Sequence, residues 1–538
     1  MASTVSSNKN SDEYREYIDA QNVRDDKIKQ LAKLIQKHSG KVIFFTGAGI
    51  STGAGIPDFR SGVNSATGLP AGKWAQEATQ SQWSEEEMKE EMKRRKKTTS
   101  TLQAIPTASH MSLVALEQAG IVMGLISQNC DGLHRRSGFH PNKLAELHGN
   151  SNLEYCAWCG KEYLRDFSAS RGRHTQGREL KQKHWAKHKK LDLINPRKGN
   201  HYTGRRCVAE GCDGYLFDST IDFGDNLPMV HINRGYKLAE EAELCIVLGS
   251  RCSVSPACDM PISVGANGRK LVVVNLQGTG ADSYACLRIG AKIDDVMVPL
   301  MKELGIDIPT FKLKRQILVS RNRNQQEDTD IIHVRGLEVD GTPVDVLWNV
   351  QVNLSGSQSE LLDNVPFLAK AKLTQDVAPG SKYAKNIPLP GDAAAIRTWP
   401  WSNQTDPGKV EVVMLNGNAK KRLYTMPADF CEVQDGPVAF ESKDVSVINA
   451  GQNHGSSLTH VLRLPTNVPT DSRVLTLMFR AHYGELPVQI PIPDTEEEIG
   501  YNLAYEPMER VWEVNPCEIP AENRKKSSTF VGRLLYRK

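Results

Sequence analysis

The apolar positions of this chain follow two regimes, and the change comes near Pro309. Before it, Val42 to Phe45, Ile121 to Ser127, Leu244 to Leu248 and Leu271 to Val274 are short continuous apolar runs, the character of strands buried on both faces of a parallel sheet. Between them Ile28, Leu31 and Ile35, then Met111, Val114, Ala115 and Leu116, and last Val296, Met297, Leu300, Met301 and Leu304, keep the three-and-four spacing of amphipathic helices. Strands alternating with helices in this rhythm predict an α/β fold, a doubly wound, Rossmann-like parallel sheet. After Pro309 helical periodicity nearly vanishes. Val344, Val346, Trp348, Val350, Val352 and Leu354 alternate with mostly polar residues, as do parts of Leu458 to Leu464 and Val474 to Tyr483, with turn-forming residues between. That pattern predicts an all-β, sandwich-like domain over residues 312–538, of unknown role.

The candidate chemistry lies where the predicted parallel strands end. Val42 to Phe45 runs into Thr46-Gly47-Ala48-Gly49-Ile50-Ser51-Thr52-Gly53-Ala54-Gly55-Ile56-Pro57-Asp58-Phe59-Arg60. Glycines at that place let the backbone approach a diphosphate, with amides at the start of the next helix facing the anion. The spacing Gly47, Gly49, Gly53 is one residue longer than the usual dinucleotide fingerprint, so an ordinary strand-to-helix turn stays open on the glycines alone. The second strand ends in Gln128-Asn129-Cys130-Asp131-Gly132-Leu133-His134, and Leu147-His148-Gly149-Asn150 follows. Gly249-Ser250-Arg251 and Asn275-Leu276-Gln277 close two more strands, so the polar rims share the edge at which α/β sheets bind ligands. The stretch from Ile221 to Pro228 reads as a short strand entering a turn. Ser61 to Lys73, rich in glycine and small residues, reads as a long mobile loop of the kind that acts as a lid.

Composition narrows the picture. A chain of 538 residues is too long for one core, and 39% hydrophobic with 24% charged residues is ordinary for a globular protein. No run approaches the roughly 18 apolar residues of a membrane span, and the polar N-terminus, expected to be flexible through residue 24, lacks a secretion signal's apolar core. These features point to an intracellular, not secreted, protein. Eleven cysteines then suggest metal before disulfides, and Cys156-x-x-Cys159 with Cys207-x-x-x-x-Cys212 form two knuckles suited to one structural zinc. The module spans about 151–218 and carries a basic insertion, 171–206, dense in Lys, Arg and His. With a net charge of only +4, polyanion binding must come from such clusters, including Lys93 to Lys97 at the end of the charged stretch Trp83 to Lys97. A solvated helix face is the plain alternative for that stretch.

Taken together, these motifs over about residues 25–310 resemble the sirtuins, the NAD-dependent protein-lysine deacylases. Leu144 to Asn150, Val273 to Gln277 and Leu287-Arg288-Ile289 look like the class IV branch of sirtuins six and seven, and Ser127 to Asp131 leans toward sirtuin seven. Val365-Pro366-Phe367-Leu368 is faintly similar to C-terminal extensions of plant members. The resemblance implies a catalytic set of His148, Asn129 and Asp131. It implies NAD contacts from Ala48, Thr52, Asp58, Phe59, Arg60 and Trp74 at the front, from Gln128, Asn129, Asp131 and His148 around nicotinamide and its ribose, and from Gly249, Ser250, Asn275, Gln277 and Ile293 on the adenosine side. Two departures stand out: the loop between Arg60 and Trp74 is longer than in relatives, and Arg251 replaces a small serine and is suited to a phosphate. The implied reaction breaks the nicotinamide–ribose bond, after which His148 accepts a ribose hydroxyl proton. Its products are nicotinamide, deacylated lysine and O-acyl-ADP-ribose. Acylated proteins, with histone tails first among them, would be substrates; DNA or nucleosomes would meet the basic segments, in the nucleus or otherwise the cytoplasm. A dehydrogenase is disfavoured by the glycine spacing and the Gln-Asn-x-Asp rim. A mono-ADP-ribosyltransferase using the same site stays open, as does a non-catalytic chromatin-binding module, against which the intact Asn129, Asp131 and His148 argue.

Overall fold

The computed structural model describes residues 15–165, 167–169, 201–207 and 214–325 apart from 63–64, 96–97 and 223–224, together with 209 and 212. Beyond these it describes 329–337, 343–344, 346–354, 371–372, 409–415, 421–427, 460–465, 473–479, 483, 485–493 and 498–519. The basic insertion 171–206 lies outside the described residues up to residue 200, as do Lys96, Lys97 and the stretch 365–368. The chain forms two compact units, Met1–Phe311 and Lys312–Lys538.

In the first unit the strands are β1 (Val42–Thr46), β2 (Val122–Ser127), β3 (Leu144–Glu146), β4 (Leu153–Cys156), β5 (Glu162–Leu164), β6 (Tyr202–Arg206), β7 (Tyr215–Asp218), β8 (Leu244–Leu248), β9 (Lys270–Val274) and β10 (Leu287–Ile289). Six of them make one parallel sheet in the order β10-β9-β8-β1-β2-β3, and the other four make an antiparallel sheet in the order β5-β4-β7-β6. From β1 the chain builds outward through β2 to β3 and then returns to the other side of β1 as β8. The resulting switch point lies between β1 and β8, where such sheets open a ligand crevice.

The helices are α1 (Gln21–Lys37), α2 (Lys73–Thr79), α3 (Glu85–Arg95), α4 (Ala108–Gln118), α5 (Leu133–Ser137), α6 (Met229–Glu241), α7 (Asp259–Ala266) and α8 (Asp294–Leu304). Alternate residues of each strand feed opposite faces of the sheet. Val42, Phe44, Leu125, Ile246 and Val272 pack with Ile28, Leu31 and Ile35 of α1, Leu113 and Leu116 of α4, and Val296 and Leu300 of α8. Ile43, Phe45, Ile126, Val247 and Val273 pack on the other face with Leu238 of α6 and Met260 and Val264 of α7. Full burial of each such side chain stabilises by about 1.5–3 kcal/mol, which is why the doubly wound arrangement expected from the pattern is the one found.

Four local expectations change. The N-terminal segment is not loose over its described part: the Tyr17 amide donates to Leu276 O at 2.7 Å, Asp19 meets Gly290 and Lys27, and α1 begins at Gln21. The described residues from Ile221 to Pro228 form no strand: the Ile221 amide reaches across to His148 O at 3.2 Å and the Asp222 amide donates to the Asp225 carboxylate at 3.1 Å. The charged run after Trp83 is helical as α3, but one of its acids, Glu91, is buried. The expected mobile loop before Lys73 is pinned at several points, described below.

In the second unit, Leu313–Asn324 pairs antiparallel with Thr329–Leu337 and Glu498–Glu506, which Pro343–Val344, His460–Pro465 and Val511–Cys517 extend. Leu347–Leu354, Arg473–Phe479 and Val488–Pro491 form a second sheet. Ile317, Val319, Ile332, Val334 and Tyr501 of the first share one core with Val350, Leu475, Leu477 and Ile490 of the second, a sandwich of the expected kind.

Candidate active site

The glycine turn after β1 is a short 3-10 stretch, Ala48–Ala54, laid directly against the end of β8. The Gly47 and Gly49 amides donate to Leu248 O and Gly249 O, each at 3.0 Å. A Cβ on Gly49 would stand 2.6 Å from Gly249 Cα. The first two glycines thus allow two backbone turns to touch, and the expectation of anion-facing amides does not hold at Gly47 and Gly49, whose N–H groups are already committed.

Below this contact opens a cavity of about 430 Å3, within the range of small-molecule sites. Its lining includes Ala48, Thr52, Asp58, Phe59, Arg60, Trp74, Gln128, Asn129, Asp131, His148, Gly249, Ser250, Arg251, Asn275, Gln277 and Ile293, so every cofactor contact expected from sequence faces one space. Trp74, the expected contact beyond the long loop, is brought in firmly. Its amide donates to Phe59 O at 2.9 Å, its ring lies 5.3 Å from that of Phe59, and the Arg60 guanidinium sits 4.6 Å over it. Arg60 also reaches Ser253 Oγ at 3.1 Å. Asp58 lines the cavity, but its carboxylate is turned back on its own loop, accepting from the Arg60 and Ser61 amides at 2.8 and 2.6 Å and from the Ser61 hydroxyl. It shapes the turn that presents Phe59 and Arg60.

At one end the polar side chains interlock. Asn129 Nδ2 donates to Gly47 O at 3.1 Å and to Ser51 Oγ at 3.3 Å, and the Ser51 hydroxyl donates to Asp131 Oδ2 at 2.7 Å. The other Asp131 oxygen accepts the Leu133 amide at 2.8 Å, which fixes the start of α5. In sequence Ser51 is only one residue of the turn motif, because a hydroxyl among glycines looks like a turn residue. Its partners are 78 and 80 residues away in sequence. Ser250 Oγ in turn donates to Gln128 Oε1 at 2.6 Å, and Gln277 Nε2 to Arg60 O at 3.0 Å.

His148 stands at this same end. Its Nδ1 lies 2.9 Å from Gln128 O. A carbonyl only accepts, so Nδ1 carries the proton and Nε2 keeps a basic lone pair. Burial holds the imidazole below its ordinary pKa, offset in part by that carbonyl, so the ring is neutral at pH 7. Gly149 follows at φ +76°, with Ser219 O where a Cβ would stand, and the His148 carbonyl accepts from Ile221 N and Cys130 Sγ. Burial pushes the Cys130 thiol up to about 12, which removes it as a nucleophile. His134 is a buried packing residue, pushed down to about 4 by burial and bonded to Thr46 Oγ1 at 2.9 Å.

The four expected zinc ligands also converge. Cys156, Cys159, Cys207 and Cys212 place their sulfurs within 4.8 Å of one another, with Cys156–Cys212 and Cys159–Cys207 at 3.6 Å. Tetrahedral zinc–thiolate bonds of about 2.3 Å put sulfurs roughly 3.8 Å apart, so the donor set fits a structural zinc. The antiparallel sheet holds the knuckles, and Glu154 at its centre is paired with both Arg165 and Arg205 at 2.7 and 2.6 Å.

The description of the Sir2 family matches residues 47–256. The chain is 34% identical over 369 residues to NAD-dependent protein deacetylase SRT1 of Arabidopsis thaliana, covering 67% of this chain and 68% of that protein. It is 34% identical over 296 residues to NAD-dependent protein deacetylase Sirt6 of Drosophila melanogaster, covering 55% and 81%, and 31% identical over 293 residues to sirtuin-7 of Homo sapiens, covering 53% and 62%. Among solved structures it is similar to a Sir2 bound to acetylated peptide, at 29% identity over 52% of this chain and 99% of the other, with a TM-score of 0.34. The plant match is longer than the unit ending at Phe311 and so runs into the second unit. With its glycine turn and polar rims on the expected parallel sheet, its four cysteines gathered on a separate small sheet, and a relative 34% identical across two thirds of both chains, this protein belongs to the Sir2 family.

Proposed function

We propose that the chain is an NAD-dependent protein-lysine deacylase acting on nuclear proteins, with acylated histone tails as substrates. The observation that carries the reading is the tautomer of His148: Nδ1 bonded to Gln128 O leaves a neutral, basic Nε2 on the ring that lines the cavity beside Asn129 and Asp131. When bound, NAD supplies a ribose carbon made electrophilic by departure of nicotinamide. Asn129 and Asp131, locked through Ser51, orient the nicotinamide end. His148 Nε2 takes the ribose hydroxyl proton, the role for which a neutral imidazole at pH 7 is suited. Phe59, Trp74 and Arg60 cover the front and exclude water, and Ser250, Arg251, Asn275, Gln277 and Ile293 hold the adenosine side. Cys156, Cys159, Cys207 and Cys212 hold one zinc that braces the small sheet. That sheet's last strand, β7, leads into Ser219, whose carbonyl packs against Gly149, and thus supports the His148 turn.

Support for nuclear substrates comes from the basic end of α3 at Lys93, Arg94 and Arg95. Mass spectrometry of NAD-dependent products from a panel of acylated histone peptides tests the proposal. Nicotinamide, deacylated peptide and O-acyl-ADP-ribose in equal amounts are expected. ADP-ribosylated protein without deacylated peptide would instead establish the transferase reading.

A further inference from the structure

The loop from Ser61 to Gly72 carries part of the cavity wall, and two acids outside the cavity lining hold it, one at its middle and one near its end. Ser61 and Thr67 line the cavity, as do Lys73 and Trp74 just after the loop, and the loop closes on itself through the Gly72 amide and Ser61 O at 2.9 Å. Gly72 is pressed against the Phe59–Arg60 peptide, where an added Cβ would stand 2.1 Å from Phe59 C. Whatever moves Gly72 therefore moves Phe59 and Arg60.

Midway along the loop, Glu16 accepts the Ser65 hydroxyl at 2.6 Å and the Ala66 amide at 2.8 Å. Glu16 is itself fixed by a β-bridge to Gln277, whose side chain donates to Arg60 O. Near the end of the loop, Glu91 of α3 accepts the Ala71 amide with both carboxylate oxygens, each at 3.1 Å. It is only 2% exposed, and it is met as well by Gln76 Nε2 at 3.4 Å and Arg95 Nε at 3.5 Å. The Arg95 guanidinium then closes the group by donating to Gln76 Oε1 at 2.6 Å. A buried carboxylate is costly unless it is bonded, and the one backbone amide that Glu91 holds is that of Ala71, next to the residue packed on Phe59.

We propose that Glu16 and Glu91 are positioning residues for the cofactor: they clasp the 61–72 loop so that Phe59, Arg60 and Trp74 stand ready against the dinucleotide. The inference rests on the reading of the cavity as the NAD site. Removing either acid frees the loop, and ordering it again on binding weakens NAD affinity without touching the reacting atoms.

The test uses the full chain with zinc in place and measures NAD binding by calorimetry, steady-state kinetics with an acylated peptide, and amide exchange over residues 65–72. Glu91→Ala is expected to weaken NAD binding and raise KM for NAD about 5- to 50-fold, a range matching an orphaned buried amide, with kcat and the peptide KM within about twofold. Faster exchange at Ala66 and Ala71 should accompany it. Glu91→Gln, which keeps an acceptor oxygen for Ala71, should restore most of the affinity, and Glu16→Ala, at a less buried position, should shift KM for NAD in the same direction. Should Glu91→Ala fail to fold, the pair Glu91→Gln and Glu16→Ala decides. Unchanged NAD affinity in a folded Glu91→Ala, or in Glu16→Ala with that variant unfolded, overturns the clasp while leaving wild-type deacylation intact. Wild-type protein that binds NAD tightly through the clasp yet releases no deacylated peptide would sink the proposed activity alone, and wild-type protein that does not bind NAD would sink both.

Discussion

Ser51→Ala is the sharpest probe of how the nicotinamide end is held together. The hydroxyl is 1% exposed and stands between Asp131, to which it donates at 2.7 Å, and Asn129, from which it accepts at 3.3 Å. A hydrogen bond to a buried charged group contributes about 1.5–3 kcal/mol, and the longer amide contact adds less. Asp131 keeps the Leu133 amide and Asn129 keeps Gly47 O, so the network loosens rather than collapses. A loss of about 2 kcal/mol is therefore expected, equivalent to roughly 30-fold in an equilibrium or a rate. It should appear in kcat/KM for NAD, measured with saturating acylated peptide, as a fall of about 10- to 50-fold, because the two polar side chains lose their shared anchor. Nicotinamide exchange should fall with it, while KM for the peptide stays put. Wild-type kcat/KM in a folded Ser51→Ala protein would refute the view that this hydroxyl registers Asn129 and Asp131.

Three further outcomes follow from the same geometry. Stripping zinc with a strong chelator should unfold the Cys156–Cys212 module and abolish activity, with metal analysis returning one equivalent per chain; activity retained without zinc would exclude a structural role. Because burial lowers the His148 pKa, kcat/KM should rise with pH through a midpoint below 6.5 and then level off, the base being competent only when neutral; a midpoint above 6.5 would contradict the assigned environment. Burial raises Glu146 to about 7, so its contribution to stability is present below the unfolded value near 4.5 and lost as pH rises through about 7. Glu146→Gln should then be more stable than wild type at pH 8 by up to about 3 kcal/mol and not at pH 4, and parallel thermal melts at both pH values would argue against it.

The parts legible in sequence were those with a strong local signal. β1, β2, β8 and β9 are continuous apolar runs, and their burial on both faces is what the runs encode. β3 and β10 are three residues each, too short for any period to register, and they complete the sheet only because their neighbours supply the ladder. α3 reverses the usual pattern: Met88 and Met92 are exposed while Glu91 is buried, since the energetic gain there is a bonded carboxylate rather than an apolar stripe. Nothing in a run of similar charges marks which one turns inward. Asp58 drew attention as an acid beside Arg60, but charge cannot say whether a carboxylate faces ligand or its own backbone. The family resemblance names the cavity residues; only the fold shows that Glu16, from a segment expected to be flexible, and Glu91, from a charged run open to two readings, hold the loop in the cavity wall.

The most direct measurement follows two products in one preparation of folded His148→Ala protein: nicotinamide exchange into NAD, and formation of O-acyl-ADP-ribose from an acylated peptide. Departure of nicotinamide precedes the step that needs the base, and the residues proposed to hold NAD, among them Arg60, Ser250, Asn275 and Gln277, are untouched by the change. Loss of a general base removes about 100- to 10,000-fold of rate. The account predicts that O-acyl-ADP-ribose formation falls by that factor while NAD binding survives and exchange remains measurable. Deacylation near the wild-type rate would contradict the role of His148, and with it the proposal that this cavity performs sirtuin chemistry.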